Sequence, residues 1–205
     1  MIARAQCLFP HLFAGDLVRM NRLSTSLAVL ACALGASCAA AADIATPSGM
    51  LSLEVPAGYT ELTAEELQSK FGRHGRVPLK AYGNARRSST VAVTWSQMKQ
   101  PLTEERLPEL KAAMEGMLPR LTPGLEFKNS QMVTVGERAW VLLDSTAPAV
   151  DTEVRNLMYL TDLGGHMVAV NYNATLADYP AQVGAFAASA RSLRVRETPG
   201  GAASR

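Results

Sequence analysis

The stretch TEVRNLMYLTDLGGHMVAVNYN, Thr152 to Asn173, decides the fold. Two runs rich in β-branched and aromatic residues flank Gly164-Gly165, a pair suited to the positive backbone angles of a tight hairpin turn. A two-residue turn sets Leu160 opposite Ala169, Met158 opposite Asn171 and Asn156 opposite Asn173. Because strand side chains alternate, one face then carries Leu157, Tyr159, Val168, Val170 and Tyr172. The other face gathers Asn156, Asn171 and Asn173 beside Met158. Neutral amides both donate and accept, so this row is a candidate grip for a polar ligand or a peptide. The competing reading is a solvated outer face or cross-strand amide pairing, since antiparallel sheets are often half polar. Asn173-Ala174-Thr175 also forms a glycosylation sequon.

Working outward, the same alternation predicts strands around Leu51–Val55, Leu79–Tyr82, Val91–Ser96, Phe127, Met132–Val135 and Ala139–Ser145. Three helices separate or close them. Thr63-Ala64-Glu65-Glu66 is a capping box opening a short helix that stops near Gly72. Thr103 is expected to cap a second, with Pro108 in its first turn and Leu107, Leu110, Met114, Met117, Leu118 and Leu121 on one stripe. Asp178 is expected to cap the last, with Tyr179, Val183, Phe186, Ala187, Ala190 and Leu193 inward. The sum is an α+β fold, an antiparallel β-sheet with packed helices in the order β-α-β-β-α-β-β-β-β-β-α. Trp95 and Trp140 lie in apolar strands and are expected to anchor the core.

"LSLEVPAGYTELTAEEL" from Leu51, "GERAWVLLDS" from Gly136 and "FAASARSLRV" from Phe186 together resemble exported bacterial proteins of the PsbP-like fold. That superfamily includes the extrinsic photosystem II protein, a Ran-binding nuclear import factor and bacterial DcrB-type proteins. The resemblance spans about residues 50–195 and implies a PsbP-like sandwich with binding, assembly or chaperoning roles. It brings no shared catalytic motif with it.

The ends of the chain carry a separate message. All three cysteines of the 205 residues, Cys7, Cys32 and Cys38, fall in the first 42. That segment also holds Arg4, Arg19 and Arg22 against Asp16, so the net charge of +2 belongs to it and the remainder is balanced. From Met20, the expected true start, the order is a basic residue, an apolar run Leu27–Leu34 and small residues to Ala42: the pattern of a secretory signal peptide. Cleavage is expected between Ala42 and Asp43. Two other fates compete, lipidation at Cys38 or Cys32 and an uncleaved anchor over Leu23–Ala42. The organisation is thus an extension plus signal peptide over 1–42, one domain over 43–195, and a disordered tail over 196–205. The location is periplasmic or secreted.

A cysteine-free, charge-balanced body disfavours thiolate catalysis, disulfide scaffolding, cysteine-ligated zinc and electrostatically driven nucleic-acid binding. No HExxH, paired Cys/His spacing, nucleophile elbow or phosphate loop is present, so no cofactor, metal or catalytic residue is assigned. Asp151 and Glu153 share a strand face and read as solvated charges. Lys70, Arg73, Arg76, Lys80, Arg86 and Arg87, with His74 among them, fall in 18 residues lacking Asp or Glu. Arg73, His74, Arg76, Arg86 and Arg87 are therefore a candidate anion-binding lip, against a solvated helix end and loop. The expected function is non-catalytic binding or assembly in the cell envelope, with a protein or envelope component as partner and transient membrane-surface contact as an option. The alternatives are an anionic-ligand binder using Lys70–Arg87 and a hydrolase centred on His74 or His166.

Overall fold

The Gly164-Gly165 turn closes the central hairpin as the sequence requires, with both φ angles positive at 58° and 83°. In the computed structural model, which describes residues 39–72, 77–149 and 151–198, it joins β8 (Glu153–Leu163) to β9 (His166–Thr175). The register pairs Leu160 with Ala169, Met158 with Asn171 and Asn156 with Asn173. Before it come β1 (Ala40–Thr46), β2 (Gly49–Val55), β3 (Thr60–Glu61), α1 (Ala64–Phe71), β4 (Lys80–Gly83) and β5 (Ser89–Ser96). Then follow a short 3-10 turn, α2 (Leu107–Leu121), β6 (Glu126–Val135) and β7 (Arg138–Pro148); after β9 come α3 (Tyr179–Arg191) and β10 (Arg194–Glu197).

Seven strands form one antiparallel sheet in the order β3-β4-β5-β9-β8-β7-β6, and three form a second, β1-β2-β10. The chain is α+β with packed helices. Between the sheets, Leu51, Leu53 and Val55 of β2 meet Val91, Val93, Trp140, Val168, Val170 and Tyr172 of the large sheet. Helix α3 closes this layer with Phe186 and Ala190, and Leu193 just beyond its end completes it. The Phe186 ring lies 5.3 Å from that of Tyr172 and 6.4 Å from that of Tyr59. Ser189 Oγ donates to the Glu54 carbonyl at 2.5 Å, which ties the helix to β2. On the opposite face of the large sheet, α2 packs over Val141, Leu143 and Leu160, and α1 sits over Ala81 and Ala92 with Leu67 and Phe71.

Several expectations need correction. The strands expected around Phe127 and at Met132–Val135 are one strand, because a bulge between Phe127 and Asn129 lets β6 continue past the break. Arg196 and Glu197, expected in the tail, belong to β10 and pair with Met50 and Gly49. Ala40–Ala42, expected in the cleavage region, form the start of β1 and pair with Val55, Glu54 and Leu53. The capping box is present, with Thr63 Oγ1 accepting from Glu66 N and Glu66 Oε2 accepting from Thr63 N. Thr103 instead precedes the 3-10 turn and makes no capping bond, and Asp178 turns its carboxylate to Arg86. Met117, Leu121 and Val183 are exposed rather than inward, since each stripe is wider than the sheet surface beneath it. Trp140 is wholly buried, while Trp95 is half-buried and donates to Ser48 Oγ at 3.2 Å.

Candidate functional site

The pairing register carries the amides into one ordered row. Across β5, β9, β8 and β7 it aligns Thr90, Asn173, Asn156 and Ser145. One step along the strands it aligns Ala92, Asn171, Met158 and Leu143. Residues paired directly across a ladder project from the same face, so both rows share the face that α1 and α2 cover. In this row the apolar cluster under α1 ends at Ala92 on β5 and the one under α2 at Met158 on β8, while further along β9 the latter takes in Ala169. Asn171 and Asn173 on β9 therefore occupy the strip between the two helices. The asparagines leave this part of β9 polar.

The electrostatics of this strip are neutral, and its hydrogen bonding is incomplete. Asn156, Asn171 and Asn173 are half-buried, and Thr90 and Ser145 are buried. Thr90 Oγ1 and Asn156 Oδ1 are buried atoms without a hydrogen-bond partner among the described residues. A buried polar group left unpaired costs about 1–3 kcal/mol. Cross-strand pairing through the Asn156 oxygen is thus not made. Such a strip can bond alternating donors and acceptors, as an extended polypeptide presents, but holds no charge for general acid–base work.

The basic stretch is arranged differently. Arg73, His74 and Arg76 lie outside the described residues, as do Cys32, Cys38, Met20 and the tail from residue 199. Arg87 adopts φ 54°, uncommon for a residue with a side chain. From there its Nε and Nη2 donate to the Glu66 carboxylate at 2.9 and 3.2 Å, and its Nη1 to Thr60 Oγ1 and the Gly83 carbonyl, each at 2.9 Å. It fastens α1 to β3 and β4. The Arg87 guanidinium, then the Thr63 N–H, holds the Glu66 carboxyl below its usual range. Arg86 donates to Asp178 Oδ1 at 2.7 Å, Lys70 to the Arg87 carbonyl at 2.9 Å, and Lys80 pairs with Glu61. Asp178 sits below its usual range through the Ser88 hydroxyl first and Arg86 after it. Each described cation of the stretch thus has a partner within the chain.

His166 accepts from Met98 N–H at 3.4 Å, and its ring lies 4.9 Å from that of Trp95. These contacts orient a ring. Asp151 and Glu153 are exposed, and among the described residues no group of three metal-ligating side chains gathers. No helix among them is long and apolar enough to cross a membrane. Sequence reasoning missed the fork pair of Arg155 and Asp144 on the opposite face. Nη2 donates to Oδ2 at 2.6 Å, Nε stands 2.5 Å from Oδ1 in poor alignment, and Arg155 covers the Tyr179 ring at 5.4 Å. The only sequence signal for it was opposite charges in two neighbouring apolar strands.

No protein-family model matches the chain, and no curated protein matches it in sequence. Among solved structures it is similar to cyanobacterial PsbP from Synechocystis, with 12% identity and a TM-score of 0.55 over 80% of this chain and 96% of that one. It is also similar to LpqN of Mycobacterium tuberculosis, with 12% identity and a TM-score of 0.53 over 76% of this chain and 90% of that one. At such identities the likeness is one of fold.

Proposed function

We propose that the protein is an exported, non-catalytic binding protein of the cell envelope that takes an extended polypeptide segment along the amide strip between α1 and α2. The observation that carries this reading is the row of half-buried neutral amides, Asn156, Asn171 and Asn173, brought onto one face by the strand register. A ligand that both donates and accepts would match these amides, which sets the strip apart from a bare apolar or charged surface. The leader pattern supports export, and the fold is shared with LpqN, a protein described as involved in cell envelope biogenesis. The partner class follows from the strip's chemistry and not from that likeness.

Affinity capture from envelope extracts tests the reading, using the chain from Ala39 and matched variants. A captured protein that is lost with Asn171→Leu and Asn156→Leu but kept with Arg86→Ala supports it. Capture that ignores the asparagines and depends on Arg86 favours the anionic-ligand alternative and overturns the strip.

A further inference from the structure

A second site lies at the opposite end and on the opposite face of the large sheet. There the β6–β7 turn meets β10 around a cleft of about 690 Å³, within the range of small-molecule sites. Its charged walls are Glu104 of the 3-10 turn, Glu137 of the hairpin turn, Arg138 of β7 and Arg194 of β10, with the half-buried Val135 and Val195 and the buried Trp140 and Leu193 as apolar lining. Gly136, at φ 64°, starts the two-residue turn, and the Arg194 guanidinium lies against it, 3.4 Å from where a Cβ would stand.

The pairing within this cleft is uneven. Arg138 Nη2 is held by Asp162 Oδ2 and Glu197 Oε1, each at 3.1 Å, which fixes and neutralises that guanidinium. Arg194 uses Nη1 for the Arg191 and Leu193 carbonyls at 3.0 and 2.7 Å. Its Nε and Nη2, and the carboxylates of Glu104 and Glu137, have no ion-pair partner among the described residues. Opposite charges therefore line one cleft without coming within 4.0 Å of each other. Trp140, wholly buried, has an indole N–H with no hydrogen-bond partner.

We propose that this cleft binds a zwitterionic ligand of the amino-acid or short-peptide class. Its carboxylate pairs with the free edge of Arg194, its ammonium pairs with Glu137 and Glu104, and its apolar body rests on Val135 and Val195. The spacing of unpaired opposite charges sets this class apart from a simple anion, which Glu104 and Glu137 would repel. The site shares no residue with the amide strip, so the two readings stand or fall separately.

Calorimetric titration of the full chain with the dipeptide Leu-Leu tests it, alongside the N-acetylated and the C-amidated forms. Saturable binding by the free dipeptide is expected, weakened about tenfold or more by either cap, as loss of a charge-assisted contact requires. Arg194→Gln should weaken the free dipeptide to the level of the amidated one and leave the amidated one unchanged. Glu104→Gln with Glu137→Gln should do the same for the acetylated form. Arg194→Lys, which keeps the charge, controls for loss of the helix-end contacts, and a thermal melt confirms folding. Absence of binding at millimolar dipeptide, or sensitivity to neither cap or to only one, overturns the proposal. Leu-Leu binding in the Asn171→Leu variant should match the parent chain.

Discussion

Cleavage after Ala42 would remove three of the seven β1 residues, and the structure fixes what that costs. Ala40 and Ala41 are exposed and Ala42 is half-buried, so little apolar surface is lost with them. Their ladder bonds contribute about 0.5–1.5 kcal/mol each, against about 1–2 kcal/mol per residue of backbone ordering that truncation no longer requires. The two nearly cancel, leaving a loss of about 1 kcal/mol or less. Ile44 is different: it is 2% exposed, pairs with Leu51, and stays in a chain that starts at Asp43. Ile44→Ala should cost about 3 kcal/mol, which at about 3 °C per kcal/mol is a drop of about 9 °C. Thermal melts followed by circular dichroism should therefore rank the chain from Ala39 just above the chain from Asp43, with Ile44→Ala well below both. If the chain from Asp43 melts as low as Ile44→Ala, the three alanines anchor the core. Cleavage at that bond is then refuted as the maturation step. If the leader directs export as proposed, mass spectrometry of the chain isolated from its host should find Asp43 at its N-terminus; a lipid on Cys38 would contradict cleavage there.

Three further outcomes follow from the packing and charges. Phe186→Ala empties the contact between α3, Tyr172 and Tyr59 and should destabilise by about 3–5 kcal/mol, read by urea denaturation. Glu66 titrates below its usual range chiefly because of Arg87, so the stability it adds is present above its unfolded pKa and lost as pH falls through the lower folded value. Glu66→Gln should lower the melting temperature at pH 6 and lose that deficit near pH 3. Asp162 is pushed up by burial, with Arg138 opposing, so its contribution runs the other way. Wild-type stability from this group should decline as pH rises from the ordinary aspartate range through the folded value. The melting temperature of wild type relative to Asp162→Asn should therefore fall over that range, and a difference that grows there instead would contradict the assignment.

The central hairpin was legible because its information is local. Gly164-Gly165 fixes the turn, the turn fixes the register, and the register places Asn156 opposite Asn173 without any knowledge of the rest. The capping box at Thr63 was legible for the same reason. Strand β10 was not, because Arg194-Val195-Arg196-Glu197 offers one half-buried apolar residue and owes its extension to β2. Strand β1 was hidden by composition, since alanines before Asp43 fit both a cleavage region and an edge strand. The basic stretch looked like one feature in sequence. Among its described members it divides into separate local ties, most clearly at Arg87, whose positive φ and four partners on α1, β3 and β4 arise only in the folded chain. The cleft beside Trp140 was beyond sequence reading because β10 forms one of its walls.

The central claim is that the amide strip meets the partner. The most direct measurement follows the side-chain amide resonances of Asn156, Asn171 and Asn173 in isotope-labelled protein as the captured partner is titrated. The account predicts that these three shift together and saturate at one stoichiometry while the Arg86 side-chain resonance stays in place. Unmoved asparagine amides in a chain that demonstrably binds its partner would contradict it.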